Sequence, residues 1–274
     1  MHYVIRFTSC VRLSCFILFF SLSQFLFSQT IVLQNAHSHN DYKQKHPLTD
    51  ALTNGFTSIE ADVFLIRGKL IISHHYPIFK KCKTLEELYL KPLYDSIIKH
   101  TGTVYLNYKQ PVILLVEFKQ NANKGYAALK TLLEKYKTVL THFENGVVTN
   151  AAVTIVITGH KPDDELKKEQ NRFAFIDDDL LNMNKGKAAV VYQMASTKYS
   201  NVLKWLGEGA ISIEQKQKLE ELVNDAHRSG KKVRLWASPE NTAVWEELLN
   251  CGVDLINTDE LEKLKRFLIQ GHKK

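Results

Sequence analysis

Short β-branched apolar runs alternate with longer amphipathic stretches along most of this chain, and few folds accommodate that pattern. The runs predict strands over 31–36, 57–65 with 69–73, 112–119, 153–158, 173–176, 188–192, 232–237 and 254–258. Helices are predicted over 47–54, 84–100, 123–140, 212–229, 242–250 and 259–268. Near-continuous apolar strands separated by helices form a parallel sheet that helices cover. About eight such units in roughly 245 residues match an α/β fold, a single (β/α)8 TIM-type barrel. An open doubly wound sheet is the alternative. No glycine fingerprint follows the first strand, so dinucleotide binding has no support. Gly55, Gly230 and Gly252 follow helical stretches, where a left-handed cap is expected. Asp259 and Glu262 have the spacing of a capping box. No repeat or low-complexity linker divides the chain, so residues 29–274 read as one domain.

The first 28 residues stand apart. Arg6 and Arg12 precede an apolar run over 13–27 that ends at Ser28-Gln29, the layout of a secretory signal peptide. The expected location is therefore secreted or periplasmic. An uncleaved anchor is the alternative, but the run is short for a span. Cys10 and Cys15 lie before or at the start of the run, which disfavours a lipoprotein signal. Cys82 and Cys251 remain; spacing does not decide whether they pair, and neither has the neighbours of a zinc finger. The formal charge of +7 falls by two if Arg6 and Arg12 leave. That modest excess suits an anionic substrate or surface. No basic stripe interleaved with aromatics points to nucleic acid.

Two predicted strands carry charges where a buried strand is ordinarily apolar. Glu60 and Asp62 sit two apart in Thr57-Ser-Ile-Glu-Ala-Asp-Val63, and Glu117 and Lys119 two apart after Val112-Ile-Leu-Leu-Val. On a strand each pair leaves one face. Burying ionised carboxylates costs several kcal/mol each unless a cation or strong hydrogen bonds compensate. Histidines stand at similar strand ends, in Ala36-His-Ser-His39 and Ile71-Ile-Ser-His-His75. A parallel barrel brings strand C-termini to one mouth, so His37, Glu60, Asp62, His74 and Glu117 are expected to share a site. Three carboxylates without a thiolate favour a hard divalent cation, Ca²⁺ or Mg²⁺. Two histidines titrating near neutral pH can divide acid and base work. Lys119 either holds a phosphate oxygen or closes an ion pair with Glu117 or Glu60.

His37, Glu60-x-Asp62, Gly68-Lys-Leu-Ile-Ile-Ser-His74 and Glu117-x-Lys119 resemble the ordered motifs of glycerophosphodiester phosphodiesterases, in one superfamily with phosphatidylinositol-specific phospholipases C. Trp236, Gly252-Val-Asp254 and Asn257-Thr-Asp259 resemble that family's last two strands. The opening His37-Ser-His-Asn-Asp-Tyr42 and Thr84-Leu-x-x-Leu-Tyr89 look closer to the altered-inheritance-of-mitochondria-like branch. The resemblance implies a metal held by Glu60, Asp62 and Glu117, with His37 and His74 as general base and acid on a phosphodiester. It also implies a glycerophosphodiester, lipid head-group or sugar phosphodiester as substrate. A lipid-derived substrate would bring a peripheral membrane contact.

Three departures stand out. Ser38 and His39 follow His37 where the family has Arg and Gly, which removes a bidentate phosphate donor. His39-Asn40 is therefore an alternative first catalytic histidine. His75 replaces the aspartate that commonly follows the second histidine. Tyr42, Tyr76, Phe79, Tyr192 and Trp236 either line the mouth or pack the rim. Two other readings stay open. His37-x-His39 also resembles the metal pair of amidohydrolases, with His160 as a further ligand; a secreted barrel could also bind a phosphorylated ligand without turning it over. The sequence does not reveal oligomeric state.

Overall fold

The computed structural model describes residues 30–78, 82–183 and 190–271. The signal segment, Phe79 and the first part of the predicted strand 188–192 lie outside these residues.

The elements follow one another as β1 (Leu33–Ser38), α1 (Thr49–Thr53), β2 (Phe56–Ile66), β3 (Lys69–Ile72), α2 (Lys91–Lys99), β4 (Val112–Phe118), α3 (Ala122–Leu133), β5 (His142–Glu144), β6 (Val147–Thr149), β7 (Val153–Gly159) and α4 (Asp163–Lys168). The second half comprises β8 (Asn171–Arg172), β9 (Ala174–Asp179), β10 (Tyr192–Lys198), α5 (Ile213–Arg228), β11 (Lys232–Trp236), α6 (Thr242–Asn250), β12 (Leu255–Thr258) and α7 (Leu261–Gly271).

Among the described residues, eight parallel strands run in the order β1, β12, β11, β10, β9, β7, β4, β2, and β1 also pairs with β2. That last pairing closes the barrel. β3 is an antiparallel hairpin arm on β2, and β5, β6 and β8 form a small separate sheet that the periodicity did not reveal. The predicted strand over 188–192 is displaced: β10 occupies Tyr192–Lys198. The cause is compositional, because Ser196 and Thr197 make this strand less apolar than the run before it. Gly55, Gly230 and Gly252 have the expected positive φ, at 85°, 71° and 85°.

Strand alternation sorts the side chains into two environments. Residues facing outward join the helices in one large core, with Trp245, Phe118 and Leu264 fully buried or nearly so. Inside, Ile113, Leu115, Val156, Met194 and Leu255 form a small apolar plug. One strand position further toward the C-terminal ends, the interior turns polar: Glu117, Thr158, Ser196 and Asn257 each lie two residues beyond a plug residue. The plug fills the lower barrel and leaves the upper end for chemistry.

Candidate active site

The carboxylates come from adjacent strands. β2 and β4 pair in the register Asp62↔Glu117, and Glu60 lies one inward position below Asp62. Glu60 and Asp62 are 2% and 0% exposed, while Glu117 is half-buried. One oxygen from each of the three lies within 4.8 Å of the others. Lys119 places its Nζ 2.8 Å from Glu117 Oε1 and 3.0 Å from Asp62 Oδ2. Its ion pairs are thus with Glu117 and Asp62, not Glu60. Burial and the neighbouring Asp62 charge push the Glu117 carboxyl up, against the pull of Lys119. Burial also acts to raise Glu60, but the Arg234 guanidinium beside it outweighs that and holds Glu60 well below the usual carboxylate range. Asp62 Oδ1 is buried with no hydrogen-bond partner among the described residues. An orphaned buried oxygen beside two further carboxylates fits a hard divalent cation, which would take it as a ligand.

Gly159, at the end of β7, secures the third carboxylate. A Cβ there would meet Phe118 O at 2.6 Å and Glu117 Cγ at 2.7 Å, and its φ of +70° is left-handed. Only glycine lets β7 run this close behind Glu117.

The histidines divide into two kinds. His37 is wholly buried. Arg234 Nη1 donates to His37 Nε2 at 2.8 Å, so His37 Nδ1 carries the proton and donates to Ser58 Oγ at 2.7 Å. Burial, helped by the Arg234 charge, lowers its pKa to about 4. With both ring nitrogens committed, His37 is a neutral internal strut that does not reach the cavity. His39, two residues on, does. Its Nδ1 lies 2.8 Å from Asp259 Oδ1, and its Nε2 is 3.8 Å from Glu60 Oε1. Partial burial acts to lower its pKa, but Asp259 and Glu60 prevail and raise it. Asn40, at φ 48°, turns the chain directly after it, in a conformation asparagine tolerates. His74 opposes it from the β3 side. Its Nδ1 is 2.8 Å from Asp62 Oδ2 and 3.1 Å from Tyr42 Oη, with the ring partly exposed.

These groups open onto one cavity of about 500 Å³ at the C-terminal end of the barrel. His39, Glu60, His74, Glu117 and Lys119 line one side; Thr158, Asp177, Ser196, Arg234 and Trp236 line the other. Trp236 is 39% exposed, with Lys198 Nζ 5.8 Å from its ring centre. His75 is exposed, stacks edge-to-face with His74 at 4.7 Å between ring centres, and is not part of the carboxylate cluster. Tyr42 belongs to the site, donating to Asp62 Oδ2 at 2.8 Å, whereas Tyr192 is buried packing. The predicted Asp259 capping box does not form: Thr258 Oγ1 takes the Glu260 N–H, and Asp259 turns to His39.

Arg234, Asp177 and Ser196 were not singled out from the sequence. Arg234 could have been, since an arginine inside Val233-Arg-Leu-Trp236 breaks an apolar strand just as Glu60 does. Its Nη1 lies 2.5 Å from Glu60 Oε2, and its Nη2 is 3.8 Å from Asp177 Oδ2. Asp177 also accepts from Ser196 Oγ at 2.8 Å and Thr158 Oγ1 at 3.1 Å. An amidohydrolase ligand set is not assembled: among the described residues the metal-type cluster contains no histidine, and His160 is exposed.

The family model described as an AIM6-like phosphodiesterase domain matches residues 26–177. The chain belongs to this family. A second model, the glycerophosphoryl diester phosphodiesterase family, matches residues 232–262, which carry Arg234, Trp236 and Asp259. Altered inheritance of mitochondria protein 6 of Eremothecium gossypii is 26% identical over 86% of this chain and 70% of its own. The homologue from Arthroderma benhamiae is 26% identical, covering 84% of this chain and 82% of its own. A solved glycerophosphodiester phosphodiesterase from Parabacteroides distasonis superposes with a TM-score of 0.53 at 14% identity, over 89% of this chain and 98% of that one. That likeness supports the barrel fold of this AIM6-like chain.

Proposed function

We propose that this AIM6-like barrel hydrolyses a phosphodiester of the glycerophosphodiester, lipid head-group or sugar class, with Ca²⁺ or Mg²⁺ held by Glu60, Asp62 and Glu117. The observation that carries the reading is the carboxylate triad with its orphaned Asp62 Oδ1, flanked by two carboxylate-held histidines on one cavity. Three carboxylates against Lys119 and Arg234 leave the cluster negative, so a phosphodiester would be repelled. A divalent ion held by the three carboxylates would reverse that sign and supply Lewis-acid polarisation of a phosphoryl oxygen.

The chain's own residues supply the proton work. His39 replaces His37 as the first catalytic histidine, because it lines the cavity and His37 does not. Asp259 fixes the His39 tautomer and leaves Nε2 to take a proton from the attacking hydroxyl or water. Asp62 and Tyr42 hold His74 through Nδ1, leaving Nε2 to protonate the leaving alcohol. Lys119 faces the same opening and is placed to meet a phosphate oxygen. Residues 1–28 give the reading an extracytoplasmic setting, which N-terminal sequencing of the exported protein would check.

The test is hydrolysis of bis(p-nitrophenyl) phosphate by the purified chain with Ca²⁺, Mg²⁺ or Mn²⁺, with EDTA, and by a Glu60→Ala/Asp62→Ala variant. Metal-dependent turnover that disappears with EDTA and in the variant is the expected result. Equal turnover with EDTA would remove the metal from the mechanism.

A further inference from the structure

Arg234 has hydrogen-bonding capacity to spare. Its Nη1 donates to Glu60 Oε2 at 2.5 Å and to His37 Nε2 at 2.8 Å, which uses both Nη1 hydrogens. Its Nε donates to Ser196 Oγ at 3.3 Å. Nη2 makes no hydrogen bond among the described residues, and Asp177 Oδ2 stands off at 3.8 Å. The side chain is only 4% exposed, yet it lines the cavity between the carboxylates and the Ser196 side. A desolvated guanidinium with two unspent N–H groups is poised for an acceptor that enters the cavity.

The grip on the other edge is rigid. His37 accepts from Nη1 and donates its Nδ1–H to Ser58 Oγ, so a neutral, fully buried imidazole fixes the guanidinium plane. No guanidinium stands beside the histidines at the end of β1: Ser38 follows His37 and its Oγ donates to Asp41, and Asn40 follows His39.

We infer that Arg234 binds the substrate phosphate through Nη2, supplying from β11 the guanidinium that the residues after β1 lack. His37 is then the positioning residue that aims it. The inference rests on the phosphodiester reading for its substrate, but it makes its own claim about phosphate affinity. Guanidinium suits this place because its planar fork serves Glu60 and a phosphate at once, which a lysine ammonium cannot do.

The test uses the full chain and its Arg234→Lys and Arg234→Gln variants. Inorganic phosphate binding is measured by calorimetry with and without Ca²⁺, beside bis(p-nitrophenyl) phosphate kinetics, Ca²⁺ titration and thermal unfolding. Phosphate affinity should fall about tenfold or more in both variants, with a parallel rise in KM. Ca²⁺ affinity of the lysine variant should stay within about threefold of wild type, since its ammonium can still neutralise Glu60. Unchanged phosphate affinity in a folded lysine variant overturns the inference, whatever happens to turnover. Failure of the wild type to bind phosphate at all also overturns it. If the glutamine variant does not fold, the lysine variant decides. Arg234-dependent phosphate binding without diester turnover would uphold this inference and sink the hydrolase reading; turnover with unaltered phosphate affinity would do the reverse.

Discussion

His39 and Asp259, 220 residues apart in sequence, meet at 2.8 Å where the last barrel strand lies beside the first. That contact orders the one histidine of β1 and its exit that reaches the cavity. Removing the carboxylate should loosen the ring without unfolding the barrel. Asp259→Asn is expected to lower kcat roughly tenfold with little change in thermal stability, in the range seen when a supporting hydrogen bond is lost. A wild-type kcat in this variant would disconnect Asp259 from the chemistry.

His39 and His37 should fail in different ways. His39→Gln is expected to fold normally and to lose about a hundredfold or more in kcat, as for a missing general base. His37→Ala should lose stability, because Ser58 and Arg234 are left without their buried partner, at a cost of about 1–3 kcal/mol. Comparing kcat and urea midpoints of the two variants separates the roles; a folded, inactive His37 variant with an intact Arg234 geometry would reverse the assignment.

The His37 environment also sets a pH dependence in metal-free protein. Its pKa is lowered by burial from 6.5 to about 4, so below pH 6.5 the unfolded chain takes a proton that the folded chain refuses. Stability is therefore fully present above about 6.5 and is lost as pH falls toward about 4, by a few kcal/mol at most. Urea unfolding in EDTA across that window should show a slope that disappears in His37→Ala. An identical slope in the variant would assign the effect to other groups.

Gly159→Ala should act on the metal, not on the histidines. The added methyl meets Glu117 Cγ and the Phe118 carbonyl, so the third carboxylate must move. Divalent-ion affinity measured by calorimetry is expected to fall about tenfold. Unaltered affinity would mean that Glu117 is not a ligand.

The two thiols among the described residues, Cys82 and Cys251, should be told apart by reagent. Both are free; Cys82 is partly exposed, while Cys251 is buried and its thiol is pushed up to about 12, chiefly by burial. At pH 8 a thiol reagent should titrate Cys82 in the native protein and Cys251 only after denaturation. Rapid native labelling of both would contradict the packing of α6.

The barrel and its carboxylates were legible because strand periodicity is a local signal: Glu60, Asp62 and Glu117 interrupt otherwise apolar runs, and alternation alone puts them inward. The histidine choice was not legible. His37 and His39 share a strand face, and only the closing partners from β11 and β12 decide which is buried under Arg234 and which meets Asp259. β10 lies beyond its expected place for a related reason, since its inward residues serve the cavity and so lack the apolar pattern that marks a strand. The local spacing of Asp259 predicts a helix cap; a contact across 220 residues competes with that and wins.

Barrel closure has a consequence for how the protein is made. The three candidate metal carboxylates are all synthesised by residue 117, but Arg234, Trp236 and Asp259 arrive only with the final strands. A growing chain thus carries its three carboxylates through more than a hundred further residues of synthesis without the guanidinium that neutralises Glu60 or the acid that orients His39. The candidate site is complete only when the circle shuts, so a prematurely terminated product would carry the three carboxylates without the groups that neutralise Glu60 and hold His39.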